Sequence, residues 1–327
     1  MNILVTGSTG FIGANLAIHL AGEGHAVHAL YRSEDKRKTL THKNIAFFKG
    51  DILDMLSLEK AMVNCDQVYH IAAFTDVWTK HKSLIYDLNV TGTINVLECA
   101  KKLGIRQIVF TSTAGVLGPS LEGTVNENSK RQVDYFLEYE RTKAIAEKKV
   151  REYVEQGLNI RIVNPTRVYG PGLLSKSNSV TIMIKSFQKG KWRIIPGNGE
   201  SIGNYVFIDD VVQGHILAME KGKSGERYIL GGENADYMQF FESLKTVTGQ
   251  HHNMFKLPLS LMLGVSYFAM FLNKIFGIKP FITPALVRKF NYNWDISSEK
   301  AVKELGYAIT PLKEGMRLTL EWLFGNM

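Results

Sequence analysis

The residues of this chain best suited to chemistry are a tyrosine and a lysine four positions apart, in "YERTK" at 139–143. Positions i and i+4 share one face of a helix, so the Tyr139 phenol and the Lys143 ammonium can meet as a proton-transfer pair. A second group is "VTGSTGFIGANLAIHL", in which Gly7, Gly10 and Gly13 recur at three-residue spacing. Glycine allows a tight turn and a close approach of backbone to a pyrophosphate, whose charge then meets a helix N-terminus. Neither pattern decides alone. With 13 tyrosines in 327 residues, chance supplies about one Tyr–Lys pair at this spacing.

The elements that must position these residues are legible in the first half of the chain. Strands are expected at 2–6, 26–31, 45–50, 67–72, 107–112 and 159–164, with helices between them such as 11–24 and 84–104. Near-continuous apolar strands separated by helices imply a parallel sheet covered on both faces, hence an α/β, doubly wound fold of the Rossmann kind. The glycines then lie between the first strand and the first helix, where a dinucleotide pyrophosphate binds. After residue 165 the rhythm breaks at "NPTRVYGPG" (164–172) and "PGNGESIGN" (196–204), which read as loops. Helices are expected at 179–189, 210–221, 237–248 and 297–305, with an apolar stretch at 257–278. We read 1–165 as the dinucleotide-binding domain, with later segments near 205–230 interleaved, and 166–327 as mainly a smaller, mixed substrate-binding lobe.

Composition narrows the partners. The chain is 45% apolar and carries a net charge of +8, which favours anionic ligands. Its basic residues are scattered and mixed with acids, as in "YRSEDKRK" (31–38) and "EKKVRE" (147–152), so nucleic acid is not an expected partner. Cys65 and Cys99 lack metal-ligand spacing and fit a reduced intracellular setting. "MNILVTG" reads as a strand rather than a signal peptide, and a cytoplasmic location is expected. The pair His251 and His252 has no companion ligands, so no metal is expected. Asp209 and Asp210, in "IDDVVQGH", are expected to cap the helix that follows them rather than to catalyse.

The second strand speaks to the cofactor. An acidic residue at its end holds the ribose 2′-hydroxyl of NAD, whereas an arginine suits the 2′-phosphate of NADP. Here Tyr31 takes the acidic position and Arg32 follows, with Lys36, Arg37 and Lys38 beyond it. A guanidinium binds phosphate through two hydrogen bonds, so NADP is favoured, with NAD the alternative. Glu34 and Asp35 argue against this preference.

Taken together, these residues make the chain resemble the extended short-chain dehydrogenase/reductase family over nearly its whole length. Its glycine pattern is similar to "TGxxGFIG", here "TGSTGFIG", which adds Phe11 and Ile12 to the cofactor site. Further landmarks follow in order: "GDILD" (50–54), "HIAAF" (70–74), "NVTGTINVLECAKK" (89–102), "VFTSTAGVLG" (109–118), "YERTK" and "NPTRVYGPG". The resemblance implies that Tyr139 exchanges a proton with the substrate oxygen and that Lys143 holds the nicotinamide ribose. It implies that Thr113, with Ser112 beside it, binds the same oxygen. It sets Asp51 and Ile52 at the adenine, Ala72 and Ala73 beside the cofactor, and Pro165 and Val168 next to the nicotinamide. Asn89 matches the family's asparagine of the fourth helix or is a packing residue at a helix kink.

The family includes sugar-nucleotide epimerases, dehydratases and reductases of ketones and aldehydes, so the fold does not choose the reaction. Sugar-nucleotide members usually carry "RDFVYVDD", whose arginine meets the diphosphate; this chain reads "GNYVFIDD" at 203–210, with Gly203 in that place. Arg167, Lys191 or Arg193 could substitute. The tail "ITPALVRKFNYNWDISSEKAVKELGY" (282–307) is similar to the branch of dihydroflavonol reductases and hydroxysteroid dehydrogenases, and Arg32 is typical of it. "LPLSLMLGVSYFAMFLN" (257–273) is uncharged, and a buried or substrate-covering helix is expected there in preference to peripheral membrane contact. The leading expectation is an NADP-dependent reductase of a hydrophobic carbonyl compound, monomeric or homodimeric. The alternatives are an NAD-dependent sugar-nucleotide epimerase or dehydratase and a non-catalytic NADP(H) sensor.

Overall fold

The six apolar runs become strands β1 (Asn2–Thr6), β2 (Ala26–Tyr31), β3 (Ile45–Lys49), β4 (Gln67–His70), β5 (Gln107–Thr111) and β6 (Asn159–Pro165). They are followed by β7 (Arg167–Tyr169), β8 (Ile194–Pro196), β9 (Ile202–Phe207), β10 (Arg227–Leu230), β11 (Glu233–Asp236) and β12 (Phe255–Leu257). The computed structural model describes residues 1–38, 40–76, 78–174 and 178–325. Its main sheet has the order β10-β6-β5-β4-β1-β2-β3, with every pairing parallel.

Alternation along β1 shows how the sheet is sealed. Ile3 and Val5 join one apolar core with the helix Phe11–Gly22 and the helix Ile208–Lys221. Leu4, one position off, joins another with residues of the helices Met55–Met62, Gly92–Lys102 and Glu138–Glu155. Both faces are thus covered, as the uninterrupted apolar strands require. The strand order reverses between β1 and β4, and the crevice at their C-terminal ends is the place where doubly wound sheets bind ligands. The seventh strand, β10, lies outside the expected set. Its four residues are too few to display a period, and it is specified by pairing with β6, some sixty positions earlier.

Two expectations fail. The helix after β9 begins at Ile208 with Phe207 at its cap, so Asp209 and Asp210 fall in the first turn and do not cap it. Asp210 instead accepts hydrogen bonds from the Thr310 amide (2.8 Å) and hydroxyl (2.6 Å), fastening the C-terminal segment to this helix. The apolar stretch forms one helix, Leu259–Phe276, but only Met262, Ser266 and Ala269 of it are buried. Among the described residues, none from this helix lines the central cleft, so it is neither a core helix nor a wall of the substrate site. A segment that is apolar all round offers no polar contrast from which to read the packed face.

Candidate active site

Gly7 leaves β1 with φ +68°, a left-handed conformation, and a Cβ there would lie 2.7 Å from the Ala72 amide nitrogen beyond β4. A side chain is therefore excluded twice, by strain and by the neighbouring strand. A Cβ at Gly13 would collide with the Gly7 carbonyl, so the helix can start against the loop only with glycine there. Gly10 closes the turn by donating its N–H to the Gly7 carbonyl at 2.8 Å, and as the N-cap it contributes no side-chain bond. The amides of the first helical turn are left for an anion.

Gly7, Gly10, Phe11, Ile12 and Gly13 line one cleft of about 500 Å³ together with Arg32, Ile52, Ala72, Ala73, Thr113, Tyr139, Pro165 and Val168. Asp51 and Lys143 stand outside that lining. Asp51 holds the Arg32 guanidinium (3.4 Å) and accepts the Leu53 amide (3.0 Å), so it acts at the rim. The acids that argue against NADP are occupied elsewhere. Glu34 receives the Tyr31 hydroxyl (2.7 Å) and the Arg37 guanidinium (3.0 Å), and Asp35 pairs with Lys38. Arg32 and Lys36 both face the cleft at this end.

Thr113 and Tyr139 meet at the other end. The Thr113 hydroxyl accepts the Gly115 amide (3.1 Å), and Tyr139 lines the cleft with it. Removal from water raises the Tyr139 phenol to about 12; the Thr113 hydroxyl works the other way, and Glu140 raises it further. Lys143 is 1% exposed, and its ammonium lies 4.0 Å from the centre of the Phe110 ring. Burial pushes it down to about 7, against the pull of Glu147. Ser112, expected only as a neighbour of Thr113, lines the cleft with a buried hydroxyl that has no partner. An orphaned hydroxyl beside a glycine cradle fits a polar cofactor laid along the cleft.

Asn89 stands at a helix kink, as the packing reading expects. It sits in a single π-helical segment, Asp87–Thr91, inside the otherwise continuous helical run Lys82–Lys102. Its side chain accepts the Phe74 amide (2.7 Å) and donates to the Thr142 hydroxyl (2.9 Å), one residue before Lys143. The wider turn thereby ties the loop after β4 to the helix Glu138–Glu155 that carries Tyr139 and Lys143.

Glu140 goes unmarked in the sequence. It is 1% exposed and accepts from Lys289 (2.6 Å), Arg131 (3.3 Å) and the Phe136 amide (3.2 Å). The loop 131–136 and the segment around Lys289 are thereby fixed to the residue after Tyr139. No spacing rule reveals this, because the partners lie 4 to 149 positions away. Arg167 also lines the cleft, and its guanidinium fills the room above Gly203, where a Cβ would strike it. Its bonds go to the Tyr205 and Tyr237 hydroxyls (3.3 and 3.4 Å), and among the described residues no carboxylate lies within ion-pair distance. Arg193, by contrast, donates to the Gly190 carbonyl, and neither it nor Lys191 lines the cleft.

A dinucleotide cradle, a phenol and a hydroxyl opening on one cleft at the sheet's switch point define an NAD(P)-dependent oxidoreductase. The chain belongs to the NAD-dependent epimerase/dehydratase family, whose model matches residues 3–231. It is 31% identical to a putative dihydroflavonol 4-reductase of Synechocystis over 97% of this chain and 93% of that one. It is likewise 31% identical to sterol demethylase protein B of Methylococcus capsulatus, over 98% of each. Among solved structures, UDP-glucose 4-epimerase of Thermotoga maritima with UDP-glucose superposes with a TM-score of 0.82 at 25% identity, covering 99% of this chain and 98% of that one.

Proposed function

We propose that this protein is an NADP-dependent reductase of a ketone or aldehyde on a hydrophobic small molecule. The observation that carries the reading is that Thr113 and Tyr139 line the same cleft as the glycine loop. A reduced nicotinamide dinucleotide held along the cleft supplies the hydride. Thr113 donates a hydrogen bond to the substrate oxygen as charge develops on it, and Tyr139 gives that oxygen its proton. Lys143, one turn along the same helix, eases formation of the Tyr139 phenolate when protonated; burial pushes it down to about 7, so that form is lost above neutral pH. Leu137, Val168, Trp294 and Ile296 give the substrate end apolar walls, and the reductase and sterol names of the two relatives agree with such a ligand.

The test is a screen of NADPH oxidation across aromatic aldehydes, steroid-like ketones, flavonoid-like ketones and sugar nucleotides. Turnover is expected in the first three groups, and activity confined to sugar nucleotides would overturn the reading. Arg167 favours a second reading, sugar-nucleotide epimerisation, because a guanidinium without a carboxylate partner suits a diphosphate. Copurified NAD(H) and epimerisation without added coenzyme would establish it.

Cofactor preference has its own test. Arg32→Asp is expected to weaken NADPH binding about tenfold or more, the scale of a lost charge-assisted hydrogen bond, and NADH far less. Fluorescence titration of both coenzymes reads this directly. Equal losses would remove the phosphate contact from Arg32.

A further inference from the structure

Along the helix Leu259–Phe276 the buried residues Met262, Ser266 and Ala269 form one narrow stripe, and the helix packs by it toward the helix Pro284–Lys289. The rest of its surface carries Leu261, Val265, Phe268, Phe271, Ile275 and Phe276, all exposed. Phe268 and Phe271 stack on each other at the surface, 60% and 54% exposed, and Phe281 just beyond is 79% exposed. An apolar face this continuous marks an interaction site on a folded protein.

Charge says what covers it. Between Glu242 and Asp295 the chain has no carboxylate and six Lys or Arg residues, of which Lys245 pairs with Glu242 and Lys289 with Glu140. Lys256 and Lys274 are exposed near the two ends of the helix. Lys80 approaches Gly277 from another loop, and Asp76, on that same loop, is paired with Lys279 at 2.8 Å. A second copy of this chain would bring the same positive fringe against itself. A lipid surface bearing negative headgroups satisfies the apolar face and the fringe together. The helix is long and apolar enough to cross a bilayer by composition. Its buried stripe keeps it against the body of the protein, so it lies along a surface rather than through it.

We propose that the outer face of Leu259–Phe276 and the segment after it dock this protein peripherally on a membrane containing anionic lipid. The docking is independent of the substrate reading, and its test needs no substrate. The purified full-length chain is sedimented with vesicles of phosphatidylcholine containing about one third phosphatidylglycerol, and with phosphatidylcholine alone. The wild type is expected to bind the mixed vesicles, more weakly at high salt, and the neutral ones less. Phe268→Asp/Phe271→Asp is expected to lower the bound fraction about tenfold or more, with thermal unfolding and NADPH titration unchanged because both positions are surface positions outside the cleft. Lys256→Glu/Lys274→Glu should remove the preference for anionic lipid. The proposal is overturned if the wild type ignores both vesicles or if the double aspartate variant binds as the wild type does. It is also overturned if the wild type is a dimer that this variant splits while neither binds lipid.

Discussion

Replacing Tyr139 by phenylalanine is expected to lower turnover at least about a hundredfold, the scale of a lost general acid, while NADPH binding stays nearly intact. The two effects are expected to separate because Tyr139 stands on the helix Glu138–Glu155, whereas Gly7, Gly10 and Gly13, which would cradle the dinucleotide, lie on another element of the same cleft. Phenylalanine keeps the ring and removes only the hydroxyl. Single-turnover kinetics with a substrate from the carbonyl screen, beside a coenzyme titration, measure both quantities. Unchanged turnover would sink the mechanism. A parallel loss of coenzyme affinity would instead mean that the hydroxyl organises the cleft.

Lys143→Met is expected to lower turnover by about as much while making the coenzyme-free protein more stable at neutral pH. Lys143 is 1% exposed, and burial holds it at about 7, well below the ordinary lysine value of 10.5. Between those values the unfolded chain binds a proton that the folded one does not, so the lysine's contribution to stability rises with pH. Below about 7 the folded state must carry a buried charge, and the cost is complete. Thermal unfolding of the coenzyme-free protein from about pH 7 to about pH 10 should therefore show a steeper rise for the wild type than for Lys143→Met. The variant should melt at least about 2 °C higher at neutral pH. Identical pH profiles would show that the ammonium is solvated and that burial does not set its charge.

Much of the cofactor half is legible in the sequence. The glycine spacing and the strand-to-helix junction that holds it depend on neighbours within a few residues, and backbone sterics act at that range. Every residue assigned to the cofactor site lines the cleft except Lys143, which is buried behind it, and Asp51, which sits at the rim tied to Arg32. The fold also shows where the acids beside Arg32 go, which spacing could not express. Glu34 and Asp35 compete with Arg32 on paper, but in the fold they are taken up by Tyr31, Arg37 and Lys38.

The alternating strands and helices, the glycine cradle and the one-turn spacing of Tyr139 and Lys143 are written in the sequence, because each follows from geometry within a few residues. Three other features came from the folded chain: Glu140 gathers Arg131 and Lys289, Arg167 fills the room above Gly203, and Leu259–Phe276 turns its apolar side outward. These depend on partners brought together from far along the chain. A buried ion pair leaves no local period, and a uniformly apolar helix has no polar face to mark its outside.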